Sequence, residues 1–228
     1  MTLPRTIAVL IGLASPAFSQ ERLELPIIQS PFHRSWQPRD LGMPSHLPAL
    51  HSVEGPTFDP QSGNLLLLLK PNQRAPELYS ARPWRDARGR IVRFGQAWRV
   101  PVTFGGVDSG LEINGRTVFC PEYLGRNLHQ VNLATAASQV TPMAPLGGGR
   151  PTAIGAVPTG IAGAGRLKLI DLGGSWFDVQ LGPLGSNGIF PVRGLTKRAT
   201  LSKAGYGVTF LAGGTAPFSP RYCPPYIM

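Results

Sequence analysis

A strand–turn–strand unit recurs four times along this chain, and that recurrence limits the fold more than any other feature. The units open at Glu54-Gly55-Pro56-Thr57-Phe58, Gly106-Val107-Asp108-Ser109-Gly110, Thr159-Gly160-Ile161-Ala162 and Ala204-Gly205-Tyr206-Gly207-Val208. Their leading glycines, Gly55, Gly106, Gly160 and Gly205, stand 51, 54 and 45 residues apart. Glycine-bearing turns follow at Ser62-Gly63-Asn64, Asn114-Gly115-Arg116, Ala164-Gly165-Arg166 and Ala212-Gly213-Gly214. Such turns supply the positive φ that tight hairpins require. Apolar second strands come next, at Leu65–Leu69, Val118–Cys120 and Leu167–Ile170. Leu128–Leu133 and Trp176–Leu181 then read as outer strands, with apolar residues on one face and polar residues on the other. A four-stranded unit returning about every 50 residues is the pattern of propeller blades. A sandwich would show closer and less regular turns. The predicted fold is therefore all-β and β-propeller-like, with about four blade repeats.

Composition agrees with many short strands. The 28 glycines and 24 prolines argue against long helices, while 42% hydrophobic residues argue against a disordered chain. Too few residues follow Gly205 for a whole blade, and the ending Cys223-Pro224-Pro225-Tyr226-Ile227-Met228 is apolar. A ring needs every edge strand covered, so either residues 25–50 complete the last blade or the chain is truncated at its C-terminus. The apolar ending favours truncation, and with it an incomplete ring. Residues 51–228 form the propeller-like domain in this reading, after an extended, Pro-rich lead-in over 20–50.

Residues 1–19 carry the zones of a cleavable export signal. Arg5 is the basic start and Ile7–Ala14 the apolar run; Pro16 breaks the helix, and Ala17-Phe18-Ser19 sets small residues before a cut at Gln20. The run is too short to span a bilayer, and no later segment is long enough to do so, so a secreted or periplasmic protein without a transmembrane segment is expected. In that oxidising setting Cys120 and Cys223 could pair. Their placement on second strands of non-adjacent units instead predicts two buried free thiols.

The formal net charge is +10, and removal of Arg5 with the signal leaves +9. Arginines are densest from Arg74 to Arg99, where only Glu77 and Asp86 oppose seven of them. This stretch reads as a solvated loop or hairpin, and Arg82, Arg85, Arg88, Arg90 and Arg93 form a candidate surface for an anionic envelope polymer. No nucleic-acid recognition module accompanies the charge.

Two resemblances bear on function. Ser52-Val53-Glu54-Gly55-Pro56-Thr57-Phe58-Asp59-Pro60, followed by Gly63-Asn64-Leu65, resembles the first-blade motif of the regucalcin/gluconolactonase-like propellers. The resemblance implies a divalent-cation ligand at Glu54 and, with a one-residue shift, a second at Asp108. A bound ion such as Ca²⁺ would polarise a lactone or ester carbonyl and activate water. More broadly, Pro158–Asp171, Trp176–Val179 and Gly205–Val208 look like bacterial extracellular β-propeller proteins. That likeness implies a secreted or surface propeller with no assigned chemistry. The expected partner is an anionic envelope polymer or a small-molecule ligand.

Other constellations are weaker. His46, His51 and Glu54 have loose metal-ligand spacing but lie in a Pro-rich approach rather than on a helix. His129 falls on a predicted outer strand and reads as a surface residue. Ser109 lacks the Gly-x-Ser-x-Gly elbow. Gly147-Gly148-Gly149-Arg150 lacks the Lys-Ser/Thr of a phosphate loop and reads as an inter-blade linker. Glu112 and Glu122 are expected to flank the second unit's hairpin. The sequence thus favours an exported, non-catalytic binding or surface protein with no evident cofactor. A metal-dependent lactonase or esterase and a basic envelope-binding protein are the alternatives.

Overall fold

In the computed structural model, residues 40–48, 50–71, 75–105, 110–122, 125–157 and 164–201 are described. They form three four-stranded antiparallel sheets and a single 3₁₀ turn. The first sheet holds β1 (Leu50–Phe58), β2 (Leu65–Pro71), β3 (Glu77–Arg85) and β4 (Ile91–Arg99). The second holds β5 (Glu112–Asn114), β6 (Thr117–Glu122), β7 (Asn127–Asn132) and β8 (Ser138–Pro142). The third holds β9 (Pro151–Ala156), β10 (Leu167–Asp171), β11 (Ser175–Leu181) and β12 (Val192–Thr200). Each sheet is a meander in which every strand pairs with its sequence neighbour. The fourth unit, from Ala204, lies outside the described residues, as do the signal segment and Cys223.

The turns follow from local chemistry. Gly63 and Gly115 take φ of 69° and 62°, which a side chain would disfavour. Asp59 organises the first turn: its carboxylate accepts the Gln61 N–H at 3.0 Å and the Ser62 hydroxyl at 2.7 Å. Arg116, in the second sheet's first turn, reaches the same carboxylate at 3.2 Å and so ties the two turns together.

Two apolar layers join the sheets. Leu66, Leu68 and Leu78 of the first sheet pack with Val118, Cys120 and Val131 of the second, around Val102 and Phe104 of the connection. Phe119 and Leu128 of the second sheet pack with Ile154, Leu167, Leu169, Phe177 and Val179 of the third. The alternation along β2 sends Leu65, Leu67 and Leu69 to the opposite face, where Leu41 and Leu47 of the lead-in cover them. Ser45 also bonds the edge of β4, donating to the Gly95 carbonyl and accepting from the Ala97 N–H. The first strands lie side by side. A Cβ on Gly55 of β1 would come within 2.7 Å of the Gly110 carbonyl carbon and the Leu111 nitrogen.

Three expectations need correction. The strand paired with β10 is Pro151–Ala156, not Thr159–Ala162; residues 158–163 lie outside the described set. Ala153-Ile154-Gly155-Ala156 is as apolar as the segment around Gly160, so a glycine lead does not distinguish them. The second sheet likewise starts at Glu112, beyond Gly106. Finally, β7 is a third strand buried on both faces. Leu128 faces the third sheet and Val131 faces the first, so its apolar residues do not share one side. Its buried polar groups are satisfied instead. The Gln130 amide bonds both the carbonyl and the N–H of Phe190, and Asn132 bonds the Gly188 carbonyl. Gly147–Gly149 do connect the second and third sheets, after the 3₁₀ turn Ala144–Leu146.

Candidate functional site

The β3–β4 hairpin carries the predicted arginine surface. Nine-residue strands flank a turn at Asp86–Arg90, where Asp86 accepts the N–H groups of Arg88 and Arg90, both at 2.9 Å. The Arg90 guanidinium donates to the same carboxylate and lowers its pKa. Pro83 cannot donate to the ladder, and the pairing shifts register between Ala81 and Pro83. Arg82, Arg85, Arg88, Arg90 and Arg93 are all exposed. Arg85 bonds the Gly89 carbonyl at 2.8 Å, and among the described residues Arg82 and Arg88 meet no acidic side chain. Asp86 therefore offsets one of five cations at the hairpin's far end; Glu77 pairs with Arg99 at its base.

Two tryptophans share one face of this hairpin. Pro83 pairs with Phe94 and Ala81 with Ala97, and Phe94 and Ala97 belong to the layer under the lead-in. Their neighbours Trp84, paired with Arg93, and Trp98, paired with Ser80, accordingly point to the opposite face. Trp84 is 52% exposed and Trp98 47%. The Arg93 guanidinium sits 4.5 Å from the Trp84 ring centroid. A Cβ on Gly95 would lie 2.9 Å from the Trp84 indole nitrogen, so the missing side chain makes room for the ring. The sequence reading missed both tryptophans. Their only signal was aromatic residues among arginines, and the bulges that fix their direction are not visible in an alternation pattern.

The remaining candidates are not brought into one site by the described residues. Glu54 lies in β1, where its carbonyl accepts the Gly110 N–H at 3.0 Å; Asp108 and Ser109 lie outside the described residues. Among the described residues no group of three His, Cys, Asp or Glu side chains is placed to hold a metal ion. His46 is exposed at a positive-φ turn, and the His51 side chain is outside the described set.

His129 is buried, contrary to its predicted surface position, because the first sheet covers that face of β7. Its Nε2 lies 2.9 Å from Glu122, which also accepts from the Asn127 amide at 2.6 Å. Partial burial pushes Glu122 up, but these hydrogen bonds outweigh it and the pKa is lowered. Cys120 pairs directly across from His129, so Cys, His and Glu sit on one face. Nucleophilic chemistry does not follow. The free thiol is fully buried, burial drives its pKa well up, and no hydrogen bond joins it to His129 among the described residues.

Glu112 has a more consequential position than a hairpin flank. From β5 its carboxylate accepts the Ala156 N–H of β9 at 2.9 Å, its own neighbour Ile113 N–H at 2.8 Å, and the Thr57 side chain of β1. One carboxyl thus ties together the first strands of all three sheets. Burial raises its pKa. Among the described residues no helix is long and apolar enough to cross a membrane. No family model matches the chain, and no curated protein is found to be similar to it.

Proposed function

We propose that this chain is an exported, β-propeller-like binding protein that docks on an anionic polymer of the cell envelope through its β3–β4 hairpin. The three meanders are successive blades in this reading. Export rests on the ordered basic, apolar and small-residue zones of residues 1–19. The observation that carries the binding function is the exposed cluster Arg82, Arg85, Arg88, Arg90 and Arg93, with Asp86 the sole acid in its turn. Guanidinium groups present fixed donor pairs to carboxylate, sulfate or phosphate oxygens. The hairpin's turn is already closed by hydrogen bonds to Asp86, so displaying them needs no loop to be ordered on binding, which limits the entropic cost.

The test is retention of the mature chain, residues 20–228, on immobilised anionic polymers across a salt series. Affinity should fall steeply between about 50 and 500 mM NaCl, as the Debye length shrinks below the spacing of the charges. The double reversal Arg82→Glu/Arg88→Glu should abolish retention at the lower salt and leave the melting temperature unchanged, since both side chains are exposed. Salt-insensitive retention, or retention untouched by the reversal, would reject the proposal.

A further inference from the structure

We infer that the polymer recognised is an acidic polysaccharide, a chain of sugar rings bearing carboxylates, rather than a polyphosphate or an anionic lipid surface. This rests on the docking role proposed for the hairpin and adds its substrate class. The supporting feature is the face shared by Trp84, Arg93 and Trp98. Two tryptophans about half exposed on one sheet face are a large apolar area to leave in water. A polyphosphate offers nothing to cover them. A pyranose ring does: its C–H face packs on an indole while its polar edge stays hydrated, and a uronate carboxylate lies at the ring's rim. Trp84 is prepared for that use. Gly95 leaves space for the ring, and Arg93 stacks at 4.5 Å from its centroid, so one platform offers an aromatic surface and a carboxylate donor together.

A bilayer fits less well. The hairpin tip, Asp86-Ala87-Arg88-Gly89-Arg90, is a charged turn closed by its own hydrogen bonds, and the tryptophans lie back from it on the sheet face. Insertion into lipid would need the apolar groups at the tip. A linear polymer can instead lie along the face, crossing Trp98 and Trp84 toward the arginines.

The experiment titrates the mature chain with three probes at one salt concentration: polygalacturonate, inorganic polyphosphate, and phosphatidylglycerol vesicles. Each is repeated with Trp84→Ala, Trp98→Ala and the Arg82→Glu/Arg88→Glu reversal. The inference expects polygalacturonate to bind most tightly. Each tryptophan variant should weaken it about tenfold, the scale of one lost aromatic anchor, and change polyphosphate binding less than about twofold. Circular dichroism melts confirm that the variants fold. Equal affinity for polyphosphate, or polygalacturonate binding indifferent to both tryptophans, would overturn the glycan assignment while leaving the docking role standing. Tighter binding to vesicles would overturn the glycan assignment and replace polymer docking with docking on a lipid surface. Failure of all three probes to bind would overturn the docking role itself, and the assignment with it.

Discussion

At Glu112 two physical demands conflict. Its three donors favour the carboxylate, whereas burial favours the neutral acid, and burial dominates: the pKa is raised. The folded protein therefore keeps this proton to a higher pH than the unfolded chain, whose Glu titrates near about 4.3. Between those two values the native state binds more protons, so this group's contribution to stability falls as pH rises. Glu112→Gln removes the titration and keeps an acceptor for the Ala156 N–H. The variant's stability relative to the parent should accordingly improve on going from about pH 4 to pH 7, as read by urea unfolding at each pH. Asp59 and Asp178 have lowered pKa values and lose their contribution as pH falls through them; parent and variant both carry them, so their effect cancels in the comparison. Gly55 is a second position where one residue decides an interface. The methyl of Gly55→Ala would strike backbone atoms of Gly110 and Leu111 at 2.7 Å, and backbone cannot swing aside. A loss of about 1–3 kcal/mol is expected in denaturant unfolding.

The hairpin shows what an element adds to its residues. Gly95→Ala places a methyl 2.9 Å from the Trp84 nitrogen, so the indole must leave its seat and lose the stack with Arg93. Little stability should change, because Trp84 is already half exposed. The tryptophan emission and its quenching by acrylamide should shift, and polymer affinity should fall as for Trp84→Ala. In the third sheet, Asp178 of β11 binds Lys168 of β10 and Arg198 of β12, pinning three strands through one carboxylate. Asp178→Asn strands the mostly buried ammonium of Lys168, at a cost of about 1–3 kcal/mol in thermal or urea unfolding. Elements were legible in the sequence to different degrees. Gly63 and Gly115 announced their turns because positive φ is a local demand, and the five arginines announced an exposed loop or hairpin because charge is rarely buried. The faces of β7 were not legible, since coverage by two neighbouring sheets makes His129 and Gln130 interior. Nor was Glu112, whose partner Ala156 is 44 residues away and meets it only when the sheets stack.

For the whole molecule, the stacking of sheets can be followed through Cys120, a free thiol in the layer between the first and second sheets. In a Cys223→Ser background, its alkylation should be very slow under native conditions and accelerate in parallel with loss of β-sheet signal in urea. Reaction well before unfolding would show that the two sheets separate without melting. The meander topology has one more consequence. Because every strand among the described residues pairs with its immediate predecessor or successor, none of the three described sheets draws a strand from a distant part of the chain. Loop closure in each sheet spans few residues, the condition under which β-structure forms quickly. A polypeptide emerging from its N-terminus can complete the first meander while the third is still being delivered. Each finished sheet then offers the next a surface on which to condense.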